Sequence, residues 1–271
     1  MTNQIIIHQD RSILEIKGLD RKKFIQGLIT NDIEKASNSN LIYAVMLSPQ
    51  GRFLYDFFIF EIDNSLILDC FAPKRDEILQ KLNFYKLRSK VEIIKNDALV
   101  AAQNLDIEDK YPLQFSDPRH QNLRNRIYIK NREISQNNQA KYSFLRIQNK
   151  IPESENDLTY DKSFILEFGF DDIHAIDYQK GCYVGQELTA RTHYRGEIRK
   201  KLLHIKIENL QEAQKSQEIS CEGKSVGIVL SSVFHENALH ALALIKVLEG
   251  QDFDHLKNDL KLQNNKITVI G

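Results

Sequence analysis

The sequence predicts an α+β protein in which a sheet region with helices on one face precedes a small all-β domain. In the first 95 residues the patterns alternate as strand, helix, three strands, helix and strand. From Lys201 onward only short β-like runs separated by polar turns are found. We therefore predict an α+β region over 1–200, divisible into lobes of about 1–95 and 96–200, and a second domain over 201–271.

Five strands and two helices are predicted in the first part of the chain. The strands are Ser12–Ile16, Leu41–Leu47, Arg52–Ile62, Leu66–Cys70 and Val91–Ile94. Asp20 is the predicted N-cap of the first helix, and the i, i+4, i+7 spacing of Ile78, Leu82 and Tyr85 predicts the second. Residues 48–51, Ser-Pro-Gln-Gly, are typical of a type I turn and predict a hairpin.

The second part of the chain changes character. Residues 109–123 are polar and predicted to form a loop, and Lys141–Gln148 is predicted to be helical. The C-terminal β-like runs are Lys201–Ile207, Ser225–Leu230, Leu239–Val247 and Lys266–Ile270. Short strands of this kind predict a small barrel-like domain.

Composition narrows the classes of function. The 37 basic residues balance the 37 acidic ones, so a dedicated nucleic-acid-binding protein is not expected. The apolar runs, such as 57–60, are much shorter than the ~18 residues that a membrane helix needs. Residues 1–7 show no export or import signal, and three widely spaced cysteines suit a reducing compartment, so we predict a cytoplasmic protein.

One segment, residues 180–191, combines reactive and conformationally special residues. Gly181 and Gly185 flank Cys182 and allow a bend that exposes the thiol. Lys180 and Arg191 would favour the thiolate, and a helix is predicted to begin at residue 186. From the residues alone, a tight turn around a buried cysteine is an equally good interpretation.

Residues 180–187, Lys-Gly-Cys-Tyr-Val-Gly-Gln-Glu, resemble the signature of the YgfZ family. The continuation through 191–202 is similar to the branch of that family with the mitochondrial iron–sulfur assembly factor. Further similar blocks are 18–33, 47–56, 85–91 and 151–153. The resemblance covers most of residues 12–202.

This resemblance implies a GcvT-like fold, with α+β folate-binding lobes around a central cavity and a C-terminal β-barrel. It implies tetrahydrofolate as cofactor and a role in assembling or repairing iron–sulfur clusters of client enzymes, including enzymes that modify tRNA. The residues implied to carry the function are Lys180, Cys182, Tyr183, Gln186 and Glu187. Cys182 would be the metal ligand of a transient cluster shared with a partner such as an A-type carrier, since no Cys-x-x-Cys pair is present.

A folate site needs an aromatic wall, a carboxylate for the pterin edge and cations for the glutamate tail. Tyr142 and Glu167 are the candidates for the first two roles, and Arg191 or Arg195 for the third. The alternatives for Tyr142 and Glu167 are a packing tyrosine and a surface carboxylate.

Several departures limit what the resemblance implies, among them Lys150 for a glycine and Ile165 for a proline of two family blocks. Tyr55 and Asp56 stand where the related aminomethyltransferase has two aspartates, and Arg11 replaces an aromatic residue of the folate site in some members. Tyr55 argues against aminomethyl transfer, and Asp56 is expected to form a structural salt bridge. The second hypothesis is nevertheless a folate-dependent one-carbon transferase, and the third is an adaptor that binds protein or RNA through the basic residues 191–201, although RNA contact is not expected.

Overall fold

The computed structural model describes residues 5–105, 111–130, 139–196, 198–246 and 259–270, without the side chain of Glu155. The strands are β1 Ile5–Ile7, β2 Arg11–Lys17, β3 Ile42–Leu47, β4 Phe53–Ile62, β5 Ser65–Phe71, β6 Glu92–Lys95, β7 Leu99–Asn104, β8 Gln114–Ser116, β9 Asn125–Lys130, β10 Lys200–Glu208, β11 Glu218–Cys221, β12 Lys224–His235, β13 Ala238–Lys246, β14 Leu260–Leu262 and β15 Asn265–Ile270. The α-helices are α1 Arg21–Gln26, α2 Arg75–Lys86, α3 Gln139–Gln148, α4 Ser154–Asp157 and α5 Gln186–Arg195. Residues 109–110 of the predicted loop and Val247 of a predicted strand lie outside the described residues.

The chain divides into two compact units. Unit 1 comprises Met1–Asn138 and Asp171–Ala190, and unit 2 comprises Gln139–Phe170 and Arg191–Gly271. Because each unit consists of two separate stretches of chain, no single cut in the sequence separates the two units. The boundary between the last two stretches falls within α5. The predicted domain boundary at residue 200 stays a prediction.

Unit 1 contains two antiparallel sheets. The first has the strand order β3-β4-β5-β2-β6, and all five of its strands were predicted from hydrophobic patterns. The β3–β4 hairpin is confirmed: the Gly51 amide donates to the Ser48 carbonyl at 2.8 Å, and Gly51 adopts a φ of +72°. The second sheet has the order β1-β7-β9-β8 and was not predicted, because β1 and β8 have only three residues each and show too little pattern.

Both predicted helices of unit 1 are present. α2 buries Ile78 and Leu82, two of the three residues whose spacing predicted it. Asp20 occupies the N-cap position of α1 but makes no cap hydrogen bond. Its carboxylate instead accepts from the Lys90 amide at 2.7 Å, so the side chain connects two segments rather than capping a helix.

Unit 2 contains a closed six-stranded barrel in the order β10-β13-β12-β11-β14-β15, which confirms the predicted β-barrel. Alternate residues of the long strands fill it, among them Ile205, Ala241 and Ile245. β11 and β14 were missed because they have only four and three residues. On the outer face, Phe144 of α3 stacks on His235 with ring centroids 3.9 Å apart.

Among the residues described, no helix has both the length and the apolar character required to cross a membrane.

Candidate functional site

Cys182 is the exposed thiol of the described chain. Cys70 is buried in β5 and Cys221 is partly buried at the end of β11. Burial raises the pKa of the Cys70 thiol to about 12, so this cysteine is inert near neutral pH. The structure thus selects the bend with an exposed thiol over the alternative of a buried cysteine.

Lys180 fixes the start of the Cys182 segment. Its Nζ donates to the carbonyl oxygens of Gln26 at 2.7 Å, Ile29 at 2.6 Å and Asn31 at 3.0 Å. An ammonium has three hydrogens to donate, so these bonds use its full capacity. Burial lowers the pKa of Lys180 to about 8. The side chain therefore ties the segment to the chain after α1, and its predicted role beside the thiolate stays a prediction.

The two glycines of the segment serve different purposes. Gly185 has a φ of +83°, and a Cβ there would lie 2.3 Å from the Ser48 carbonyl oxygen of the hairpin turn. Only glycine fits so close an approach with a positive φ. A Cβ on Gly181 would meet nothing within 4 Å, and its φ is not positive. Gly185 therefore seats the segment on the hairpin, whereas Gly181 meets no such constraint.

The remaining residues of the segment surround the thiol. Gln186, the first residue of α5, accepts from the Tyr183 amide at 3.0 Å, and its Nε2 lies 3.9 Å from the Cys182 sulfur. The Tyr183 ring lies 5.1 Å from the Lys180 ammonium, and burial raises the pKa of Tyr183 to about 12. Glu187 is exposed. The segment holds one accessible sulfur on a backbone fixed from both sides.

The grouping of possible metal ligands bears on the predicted role of Cys182. Among the described residues, no group of three or more histidine, cysteine or acidic side chains is arranged to hold a metal ion.

The four predicted folate residues lie in unit 2, where Tyr142 and Glu167 bond to other side chains. Tyr142 is fully buried, and its hydroxyl donates to Glu153 at 2.9 Å. Glu167 accepts from Lys200 at 2.8 Å. Arg191 and Arg195 are exposed along α5. A folate ligand would have to compete with Lys200 for Glu167, and the roles of all four residues stay predictions.

A buried cluster of charges in unit 1 was not predicted as a group. Asp69 accepts from Arg11 at 2.8 Å and from Arg126 at 2.5 Å, and Asp117 pairs with Arg119 at 2.8 Å. All three guanidinium groups lie over the Phe58 ring, 3.8 to 5.4 Å from its centroid. The one signal in the sequence is a charged residue inside an otherwise apolar run, such as Asp69 in β5.

Asp56 joins this cluster, whereas its neighbour Tyr55, which stands in place of an aspartate of the aminomethyltransferase, contacts Glu77 instead. Asp56 pairs with Arg11 at 3.1 Å and accepts from Tyr43 at 2.9 Å, so the expected structural salt bridge is present. The Tyr55 hydroxyl donates to Glu77 at 2.5 Å. Tyr55 thus carries no carboxylate, and the carboxylate of Asp56 is held by Arg11 and Tyr43.

Comparison of the fold gives a clear match. The structure of the glycine cleavage system aminomethyltransferase T from Bartonella henselae superposes with a TM-score of 0.70, covering 89% of this chain and 78% of that chain at 11% identity. The protein has a GcvT-like fold. At this identity the GcvT-like fold is all that the match shows, and it confirms the predicted fold class.

Comparison of sequences gives a different group of relatives. The chain is 32% identical over 222 residues to the iron–sulfur cluster assembly factor IBA57 homolog, mitochondrial, of Mycosarcoma maydis, covering 72% of this chain and 55% of that protein. It is 27% identical over 231 residues to the IBA57 factor of Mus musculus, covering 73% and 64%. The chain thus spans between about half and two thirds of the length of these curated relatives. No protein-family model matches it.

These relatives correct one prediction. They are named as mitochondrial proteins, so the predicted cytoplasmic location is wrong. The prediction rested partly on three widely spaced cysteines, which indicate a reducing compartment without saying which one.

Proposed function

We propose that this protein is an accessory factor for the assembly or repair of iron–sulfur clusters in other proteins. The observation that carries the proposal is the exposed thiol of Cys182 on a segment fixed by Lys180 and Gly185. Similarity to curated iron–sulfur cluster assembly factors supports it. The names of these relatives also favour a mitochondrial setting.

In the proposed role, Cys182 provides one thiolate ligand to a cluster that is cargo rather than a resident cofactor. Iron–sulfur clusters are generally held by about four ligands, so a partner must supply the others. Because the backbone around Cys182 is already fixed, binding of the partner requires little loss of conformational entropy there. An A-type carrier is the class of partner that we propose, with client iron–sulfur enzymes, including enzymes that modify tRNA, as recipients.

The test uses the full chain and an A-type carrier under anaerobic conditions. We expect Cys182→Ser to abolish the iron–sulfur absorbance of the mixed complex while leaving the thermal unfolding temperature unchanged, because the thiol is exposed. Cys221→Ser is the matched control and should retain the absorbance. Full cluster formation by Cys182→Ser would refute the role of the thiol.

We further propose that the protein binds tetrahydrofolate, as its resemblance to the YgfZ family implies. Glu167 is the residue of this chain that would accept from the amino-pyrimidine edge, since its carboxylate is partly accessible and already accepts from an ammonium group. Calorimetry with tetrahydrofolate should show binding that Glu167→Gln weakens at least tenfold, whereas Glu187→Gln has no effect. Equal affinity of the two variants would contradict the assignment of Glu167.

A further inference from the structure

Three large apolar side chains of unit 1 are unusually exposed. Leu19, Phe84 and Leu87 are 85%, 76% and 86% exposed, the highest values for large apolar residues in the described part of the chain. Single exposed apolar residues are ordinary, but contiguous ones mark interaction surfaces. Leu19 lies just before α1, whereas Phe84 and Leu87 lie at the end of α2 and just after it.

The stretch before α1, residues 18–20, contacts Lys90 in the stretch after α2. The Asp20 carboxylate accepts from the Lys90 amide at 2.7 Å, and a Cβ on Gly18 would lie 2.1 Å from the Lys90 carbonyl oxygen. Gly18 therefore permits a close approach, with a φ of +109°.

Between these segments lies an open groove of about 820 Å³. Phe24 and Leu28 of the α1 region and Tyr85 of α2 provide its apolar lining. At Gly27 the groove is unobstructed, since a Cβ there would meet no atom within 4 Å. The groove can therefore accept side chains from another molecule.

Leu87 holds an unfavourable backbone conformation at the edge of this groove. Its φ of +44° and ψ of −109° lie in a region that side chains with a Cβ avoid. Glycine would be the residue that relieves such strain, yet an exposed leucine occupies the position. Strained residues of this kind concentrate at functional sites.

The charge around the groove is positive. Lys23, Lys86 and Arg88 line it, and no carboxylate of the described residues pairs with them. Asp20 is the acidic residue of the lining, and its carboxylate is already bound to the Lys90 amide. An occupant should thus bring both apolar side chains and negative charge.

We propose that this groove is a docking site for an acidic amphipathic helix of a partner protein. Two or three large apolar residues at i, i+3 or i+4 spacing would enter the groove beside Tyr85 and Leu87. Glutamates or aspartates flanking that stripe would meet Lys86 and Arg88. This is the helix-in-groove mode of recognition, with charge setting the choice of partner. The proposal does not depend on the role of Cys182.

The test measures fluorescence anisotropy with a labelled 18-residue helical peptide that has a leucine stripe flanked by glutamates. The full chain should bind it with a Kd in the micromolar range, and binding should weaken at high salt. Leu87→Gly should weaken binding at least tenfold without lowering the melting temperature, because glycine tolerates the φ of +44°. Arg88→Glu should weaken binding to a similar degree.

Phe234→Ser in the barrel is the matched control, since it removes another exposed aromatic residue and should not affect binding. Equal binding of a peptide with lysines in place of the glutamates would overturn the proposal. So would a concentration-dependent dimer in sedimentation that Leu87→Gly abolishes, because the face would then be a contact between two copies. Binding to phosphatidylserine vesicles that Leu87→Gly abolishes, without binding of the peptide, would equally overturn it in favour of a lipid surface.

Discussion

At the scale of single residues, the most consequential feature of unit 1 is its buried charge cluster. Burial alone would raise the pKa of Asp69, but Arg126 and Arg11 outweigh it and hold the pKa below its usual value. Asp69 is therefore ionised in the folded protein. Removing one member of such a cluster leaves buried charges without compensation, which costs far more than losing a surface pair.

We expect Asp69→Asn to lower the free energy of unfolding by about 3 to 5 kcal/mol, because Arg11 and Arg126 would lose their shared carboxylate. Urea denaturation would measure the loss. The control is Glu34→Gln, which removes an exposed partner of Lys22 and should cost no more than about 1 kcal/mol. Equal effects of the two changes would show that the buried cluster adds no stability beyond that of a surface ion pair.

At the scale of elements, the Cys182 segment depends on the hairpin on which it rests. Gly185 approaches the Ser48 carbonyl, and the Val184 amide donates to the Gly27 carbonyl at 3.1 Å. The segment is thus fixed by unit 1 rather than by its own local structure. Changes at Gly185 should displace the thiol, whereas changes at Gly181 should not.

We expect Gly185→Ala to destabilise the protein by about 1 to 3 kcal/mol, since the added Cβ combines a clash with a positive φ. The rate at which a thiol reagent modifies Cys182 should change at least severalfold. Gly181→Ala is the matched control, with little effect on either measurement because its Cβ meets open space. Unchanged stability and thiol reactivity in Gly185→Ala would contradict the packing described.

The second element-scale feature is a histidine pair between β10 and β13. His204 Nε2 lies 2.9 Å from His240 Nδ1, and both side chains are buried on the outer face of the barrel. Burial, with the neighbouring His240 and Lys150, lowers the pKa of His204 to about 4. The folded state therefore binds this proton less readily than the unfolded state, whose histidine pKa is about 6.5.

From this shift we expect stability to be complete above about pH 6.5 and to decline as the pH falls toward 4, by up to about 3 kcal/mol. His204→Gln should reduce that acid-induced loss when the free energy of unfolding is measured across the range. His174→Gln, at an exposed position, should leave the loss unchanged. An unaltered pH profile in His204→Gln would exclude this pair as its source.

At the scale of the whole molecule, each unit is assembled from two separate stretches of chain. The helices α3 and α4 belong to unit 2 together with the barrel, although residues 158–199 separate α4 from the first barrel strand. Phe144 contacts His235 and His240, and Arg146 donates to Ser231 of β12. A chain cut at residue 200 would strip α3 of these partners.

We therefore expect a chain truncated after Arg199 to expose residues 139–170 to proteolysis. The reason is that α3 would lose the barrel face against which Phe144 packs. Limited digestion followed by mass spectrometry would show cleavage within this stretch, while the full chain under the same conditions serves as the control. Protection of 139–170 in the truncated chain would instead support the predicted boundary at residue 200.

Local sequence patterns predicted many of the strands and helices of this protein. Apolar, β-rich runs identified the five strands of the first sheet, and the i, i+4, i+7 spacing identified α2, because both depend on neighbours in the chain. Residues 180–187 indicated a bend at Cys182, since flanking glycines are a local signal, but an exposed and a buried thiol fitted the pattern equally well. The long barrel strands were also evident from their composition.

The tertiary structure alone decided which side chains meet. Lys180 binds carbonyls about 150 residues away, and Arg126 reaches Asp69 on another sheet, so no local pattern could predict either contact. The membership of α3 in unit 2 is likewise a matter of long-range packing. Sequence therefore determined the first sheet, α2 and the long barrel strands. The second sheet, the exposure of Cys182 and the partners of buried charges depend on how distant segments come together, which is a property of the folded chain.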